Sequence, residues 1–271
     1  MSVSKLQFTP GEAAFIADLS VREVQKAFDE DWFDVVPRDT AHGASRRWLG
    51  PAELLHLRVV KDTCRYAVFQ TEAKKLIHKQ LRERIADILL VDADDGVVIA
   101  ELKPHARSAS EDMGDDTDLL GRHADVKHGF EGGDDQRYFI INTGKIDWQR
   151  LHSWFEQMAR YLKEPVKISE IWVDPEGAWG QMTERLAEAT AAQFAVVSDP
   201  EIRGGEPVVR GTRIPVHLLQ DLVAQGATYD ELLADYPSLD DQRLRLALVY
   251  AKNHPRAGRP RKRPWQTLVA Q

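Results

Sequence analysis

Several groups of residues in this 271-residue chain have types and spacings that could do chemistry. One is Glu101-Leu102-Lys103 at the end of an apolar run, with Asp87 or Asp92 shortly before it. Two carboxylates can hold Mg²⁺ while a lysine lies beside an attacked phosphate, which is what metal-dependent cleavage of a nucleic acid requires. The same spacing arises wherever a hairpin ends in charged residues, so a nuclease using Asp92, Glu101 and Lys103 stands as an alternative. A second group combines Arg22, Gln25 and Lys26 with Arg38, Arg46 and Arg47. These types reach base edges and phosphates when a short helix and a wing present them to a duplex. A third group is cationic and lies toward the C-terminal end. Arg210 and Arg213 flank Gly211-Thr212, where they could hold a phosphate or a partner's carboxylate through bidentate contacts, or pair with local acids such as Asp199 and Glu206. Arg243, Arg245, Lys252, Arg256, Arg259, Arg261, Lys262 and Arg263 then follow, with no acidic residue after Asp241. His105, His123 and His128 are scattered through an acidic stretch, and neither a metal nor another cofactor is expected.

The elements that must position these residues are legible to different degrees. Thr9-Pro10-Gly11-Glu12 and Ser20-Val21-Arg22-Glu23 are capping boxes, each opening a short helix, with Asp18-Leu19 as the turn between them. The second helix should carry Val21, Val24 and Phe28 on its inner face. Two short helices joined by so short a turn predict a helix-turn-helix. Trp32 to Pro37 and Ser45 to Leu49 read as two short strands around the polar loop Arg38 to Ala44. A longer helix should start at Pro51 and run through Arg58 and Val59.

From residue 81 the pattern changes. Ile85 to Val91 and Val97 to Leu102 read as strands joined by a turn ending in Gly96. Residues 104–136 are rich in Gly, Asp and His without periodicity and read as a long loop. Tyr138 to Ile141 and Ile168 to Val173 read as strands. Between them Leu151, Trp154, Phe155, Met158 and Leu162 stand at helical spacing over Asp147 to Leu162. A further helix is expected from Met182 to Ala192.

Near the C-terminal end, Val208-Val209 and Ile214-Pro215-Val216 flank a Gly-centred turn and predict a tight hairpin. A helix from Val216 to Gln225 should close at Gly226. A capping box at Thr228 to Glu231 opens another helix, ended by Pro237, and a last helix runs from Asp240 or Asp241 toward Lys252. The string from Gly205 to Val216, with Gly226-Ala227-Thr228 and Tyr236-Pro237-Ser238-Leu239, resembles the family called domain of unknown function 433. That resemblance implies a VapB-type antitoxin, many of which are encoded beside a PIN-like ribonuclease toxin. The order of helix-turn-helix, wing and helix over residues 8–65 is similar to MerR-like regulators, on Phe8-Thr9, Gly11 to Ala14 and Arg46-Arg47-Trp48. The basic tail, with Gly258-Arg259-Pro260 at its centre, resembles an AT-hook. It could lie in a narrow minor groove, block the acidic site of the nuclease, or simply be solvated.

Composition is that of an ordinary soluble protein, with 43% hydrophobic residues and a formal net charge of −7. Cys64 is the single cysteine, which excludes an intrachain disulfide and a thiolate metal cluster and fits a cytoplasmic location. No apolar run approaches the length of a membrane span. The expected class is α+β: a winged helix-turn-helix over residues 1–80, a small mixed domain over 81–180, a hairpin with three helices over 181–255 and a basic tail over 256–271. The expected function is a non-enzymatic one. The chain is read as an antitoxin that binds and silences a PIN-like ribonuclease and represses its own operon as a DNA-binding homodimer, with a ligand-sensing transcription regulator as a further alternative.

Overall fold

The computed structural model describes residues 3–33, 38–39, 45–63, 71–85, 87–93, 97–103, 138–163, 165–168 and 171–256. These residues mix helices with small antiparallel sheets, an α+β arrangement. Strand β1 (Val3–Lys5) precedes α1 (Pro10–Ala17) and α2 (Val21–Asp29). Both capping boxes form. Thr9 N–H donates to Glu12 Oε2 at 2.7 Å and Glu12 N–H to Thr9 Oγ1 at 3.3 Å; Ser20 and Glu23 repeat this at 2.7 and 3.2 Å. Between the helices Asp18 adopts φ 58°, ending α1 in the left-handed region, where a short aspartate is tolerated.

Helix α2 buries Val24, Ala27 and Phe28, but Val21, expected inside, is 48% exposed. It occupies the first helical position, where the apolar stripe runs past the core and opens onto a groove. The wing also differs from expectation. Strands β2 (Arg38–Asp39) and β3 (Ser45–Arg46) pair with Arg38 opposite Arg46, so the first strand lies within the stretch read as a polar loop. Trp32 and Phe33 do not ladder. Phe33 is buried edge-on against Phe28, Trp32, His56 and His78, and burying these rings takes them out of a strand. Residues 34–37 and 40–44 lie outside the described residues. Phe8 and Leu49 exchange backbone hydrogen bonds at 2.8 and 2.9 Å, which seats the wing's exit on α1. Helix α3 (Pro51–Thr63) is almost wholly buried, and α4 (Thr71–Arg82) follows without having been anticipated.

Strands β4 (Asp87–Ala93) and β5 (Val97–Lys103) form the expected hairpin, and β6 (Tyr138–Asn142) pairs with β5 to extend it into an antiparallel meander. The unforeseen β1 adds to its edge, pairing Val3 with Val91, so the sheet order is β1-β4-β5-β6. Helix α5 (Trp148–Gln157) passes into a 3₁₀ turn over Met158–Leu162, and its five spaced apolar residues are all buried. The single strand expected over Ile168 to Val173 is instead a hairpin of β7 (Val166–Ile168) and β8 (Ile171–Val173). Helices α6 (Pro175–Gly180) and α7 (Thr183–Ala195) complete this part. One cluster of buried apolar residues runs from Leu6 to Ala195 and takes in Leu246; the first 80 residues and the next hundred therefore share a core.

Beyond it, β9 (Val196–Val197) ladders with β10 (Val208–Val209). The expected partner of Val208-Val209 contributes one bridge, Val208 with Pro215, flanked by bonds from Val209 N–H to Ile214 O at 2.9 Å and from Val216 N–H to Pro207 O at 3.0 Å. Pro215 sits opposite Val208 between these two bonds, where its missing N–H costs nothing, and the strand pairs with β9 on its other edge. Helices α8 (Val216–Ala224), α9 (Tyr229–Asp235) and α10 (Asp241–Asn253) follow as the caps predict. A second cluster, with Val209, Val216, Leu219, Leu232 and Leu244, packs among them. Helix α10 serves both cores, giving Leu244, Ala247 and Ala251 to the second and Leu246 to the first.

Candidate functional site

An open groove of about 1100 Å³ lies where α1 and α2 meet the end of α10, with Phe15, Val21, Gln25, Arg47, Arg185 and His254 in its lining. Its walls are fixed by contacts that the local sequence does not announce. The Asp18 carboxylate, in the helix-turn-helix turn, accepts from Lys61 Nζ and from Arg185 NH1, both at 2.6 Å. Lys61 also donates to the Asp18 carbonyl. These bonds, from Lys61 and then Arg185, hold the Asp18 carboxyl well below the usual carboxylate range. The turn is thereby latched to α3 and α7. At the other end of α1, buried Glu12 accepts from Gln193 Nε2 at 2.9 Å and lies 3.6 Å from His254 Nε2. A Cβ on Gly11 would stand 2.3 Å from the Asn253 carbonyl oxygen; only glycine lets α1 sit this close to the end of α10.

Of the residues assigned to DNA, Arg22, Gln25 and Lys26 are exposed on α2, with Lys26 3.5 Å from Glu30. Gln25 lines the groove. Arg47 is exposed, its guanidinium carbon 5.1 Å from the centre of the Phe28 ring. Arg38 and Arg46 are register partners on the wing. Arg22, Gln25 and Lys26 thus stand on α2, and Gln25 and Arg47 both line the groove.

Beneath them lies a buried group that sequence reasoning missed. Among the described residues neither ring nitrogen of His56 finds a hydrogen-bond partner. The ring stacks on His78 at 5.4 Å and stands 5.4 and 5.8 Å from Phe33 and Trp32. Burial, and then the charges of His78 and Lys74, push its pKa well below the ordinary histidine value, so the imidazole packs as a neutral ring. His78 Nε2 meets Glu53 Oε1 at 3.1 Å, and Gly50 N–H donates to Glu53 Oε2 at 2.8 Å. Burial pushes the Glu53 carboxyl up, but the His78 hydrogen bond, the His78 charge and the Gly50 N–H together hold it below its usual value. A histidine inside a helical stripe, as His56 is in α3, was the one signal available.

In the C-terminal unit Arg210 and Arg243 bond main-chain carbonyls. Arg210 Nε donates to the Phe194 carbonyl at 2.6 Å, whereas Glu206 pairs with Arg203 at 3.0 Å and Asp199 accepts from Glu201 N–H. Arg213 is exposed. Thr212 Oγ1 donates to Val209 O at 2.8 Å and accepts from Ile214 N–H at 3.1 Å, locking the turn. Arg243 donates to the carbonyls of Ser238 and Gly144 at 3.4 and 3.2 Å, which docks α10 on the loop after β6. Leu218 and Tyr229, on α8 and α9, are 37% and 43% exposed. Arg259, Arg261, Lys262 and Arg263 lie outside the described residues, as does the acidic stretch 104–136.

The carboxylate–lysine arrangement is not assembled as read. Asp92 pairs with Val98, Glu101 with Leu89 and Lys103 with Asp87. Asp92 is thus three register steps from the partner of Glu101 and five from that of Lys103, about 10 and 17 Å along the strand. The odd number of steps places Asp92 on the opposite face of the ladder. Asp87 does share a face with Glu101 and Lys103, but its carboxylate pairs with Lys5 Nζ at 2.5 Å.

A family model described as Protein of unknown function (DUF433) matches residues 196–251, from β9 into α10. A protein of Sinorhizobium fredii (strain NBRC 101917 / NGR234), described as uncharacterized protein y4eO, is 47% identical over 79 residues, covering 29% of this chain and 36% of that protein. The aligned part is about a third of the length of that curated relative. No solved structure matches. No helix among the described residues is long and apolar enough to cross a membrane.

Proposed function

We propose that this protein is a cytoplasmic antitoxin that reads operator DNA through its winged helix-turn-helix and holds a PIN-like ribonuclease through its C-terminal unit. The observation that carries this reading is the close seating of α1 on the end of α10. Gly11 against Asn253 joins the proposed helix-turn-helix to the end of α10, two residues past the stretch matched over residues 196–251. A partner bound to one unit can bias the other only if a contact of this kind couples them. Support for the DNA side comes from the exposed Arg22, Gln25 and Lys26 on α2, with Arg47 on the same side. Two half-sites are needed for useful specificity, so a homodimer is expected.

Support for the protein-facing side comes from exposed Arg213, Leu218 and Tyr229, a cation and large apolar groups of the kind that anchor protein interfaces. Arg210 already bonds the Phe194 carbonyl, and Arg243 the Ser238 carbonyl and the Asp240 carboxylate, so exposed Arg213 is the stronger candidate for the nuclease's carboxylates. The test is co-expression with the product of the adjacent gene. The pair should co-purify, the ribonuclease should regain activity when the antitoxin is removed, and the complex should retard DNA from upstream of the gene. A fragment ending at Ala195 that still pulls down the nuclease would refute the assignment of the C-terminal unit.

A further inference from the structure

The groove between α1, α2 and the end of α10, about 1100 Å³, is large enough for a drug-sized ligand. Its apolar lining includes Phe15, Phe28 and Val21, the last 48% exposed at the start of α2. Over each of the two rings stands a guanidinium. The Arg47 carbon lies 5.1 Å from the centre of Phe28, and that of Arg185 5.8 Å from the centre of Phe15. A guanidinium stacked on a ring still presents its N–H edge to a carboxylate, sulfonate or phosphate. Arg185 spends NH1 on Asp18 and on the Phe15 carbonyl, at 2.6 and 3.3 Å. Among the described residues, Arg47 and exposed Lys252 of α10 meet no carboxylate. Two acids line the groove as well: Asp18 is neutralised by Lys61 and Arg185, and Asp29 is exposed at the end of α2. The lining thus joins flat apolar surface to cations supplied by three separate elements, the exit of the wing, α7 and α10.

We propose that this groove binds a small, flat organic anion, an aromatic ring carrying a carboxylate, sulfonate or phosphate. The ring lies against Phe15 and Val21, and the charge is met by Arg47 and Lys252. Apolar burial supplies affinity and the cations select for negative charge, the usual division of labour in a ligand site. The anion also has a consequence for α2. Gln25 and Arg47 line the groove and are the residues assigned to DNA, so an occupied groove and a bound duplex exclude each other. That exclusion rests on the DNA-binding reading of α2; the binding of the anion does not.

The test titrates anilinonaphthalene sulfonate, an aromatic anion whose fluorescence rises in apolar surroundings, into the full chain. Binding should saturate at one molecule per chain. Changing Arg47 and Lys252 together to Ala should raise Kd about tenfold or more, since hydrogen bonds to charged groups are lost. Val21→Asp should abolish binding by setting a carboxylate beside the ring. It should still fold, because Val21 is exposed and an acid is favoured in the first turn of a helix. Trp172→Ser and Leu76→Ser change exposed apolar residues outside the lining and should leave Kd as it is. A wild type that does not bind the probe, or variants in the groove that bind it as tightly as the wild type, would overturn the proposal. Loss of binding with Trp172→Ser or Leu76→Ser would do so too, by placing the probe elsewhere. Saturating probe should also weaken binding to a duplex from upstream of the gene, and an unchanged DNA affinity overturns the exclusion. A wild type that binds no duplex but titrates with the probe as expected removes the DNA-binding reading and leaves the anion site standing.

Discussion

Helices α2 and α9 begin on the same device. Ser20 with Glu23 in one and Thr228 with Glu231 in the other each form a reciprocal capping box. What holds each helix in place differs. Around α2 the fixing contacts are long-range and polar, from Asp18 to Lys61 and Arg185 and from Glu12 to Gln193, over an apolar core shared with the central sheet. Around α9 they are short-range: positive-φ glycines at 211 and 226, a turn locked by Thr212, and a small core of its own. The C-terminal unit is thus specified within about fifty residues. This explains how a family model can match residues 196–251 by themselves. The N-terminal helix pair depends on residues far along the chain.

The comparison is broken most forcefully in the shared core. Trp154 is 1% exposed and packs on Phe139 and Phe155. Trp154→Ala should cost about 3–5 kcal/mol. In hydrogen exchange, amides of α1, α3 and the sheet should lose protection while those of α8 and α9 keep theirs. Equal loss in both parts would mean that the two cores unfold as one.

Two glycines test the same contrast at a lower cost. Gly211 has φ 75° with open space around its Cα, so Gly211→Val meets only backbone strain of about 1–3 kcal/mol. It should loosen the C-terminal unit and leave DNA binding alone. Gly11→Ala forces a Cβ into the Asn253 carbonyl and should cost about 1–3 kcal/mol through overpacking. It should instead part α1 from α10 and uncouple DNA affinity from nuclease binding. Identical phenotypes for the two variants would remove the distinction.

The N-terminal side should also be selectively sensitive to acid. The folded state keeps His56 neutral, so its pKa lies below that of the unfolded chain, and the unfolded state binds the proton first. Stability is full above about pH 6.5 and falls by up to about 1.4 kcal/mol for each pH unit below it, until the folded-state pKa is reached. Thermal melts between pH 7.5 and 5 should show this loss, and His56→Phe should flatten the curve. The smallest contrast concerns the caps. Ser20→Ala and Thr228→Ala should each cost about 1 kcal/mol. The first should weaken DNA binding and the second should not, as gel shifts would show.

Much of the local structure could be read without coordinates, for physical reasons that are visible residue by residue. A capping box satisfies backbone donors with side chains three residues away, so Thr9, Ser20 and Thr228 marked their helices reliably. Gly211 and Gly226 sit where a turn or a helix end needs positive φ, and both adopt it. Short apolar runs announced β4 to β6. The errors arose where burial competes with local pattern. Trp32 and Phe33 have strand-like composition but are drawn onto His56 and His78. Val21 fits the apolar stripe of α2 but lies beyond the core's edge. Asp92 and Lys103 suited a metal site by spacing, yet the hairpin's register separates them.

The amino-acid sequence by itself determined where helices start and stop, which residues form turns, and that cations collect toward the C-terminal end. Each of those outcomes is decided by interactions reaching only a few residues. Tertiary structure alone decided that β1 pairs with β4 across more than eighty residues, that Val208-Val209 ladders with Val196-Val197, and that Asp18 is held by Arg185. It also decided that the end of α10 lies against Gly11, beside the groove that Val21 and Gln25 line. Such partners carry no mark in local spacing, because they are selected by which buried surfaces and unpaired polar groups fit together once the elements have packed.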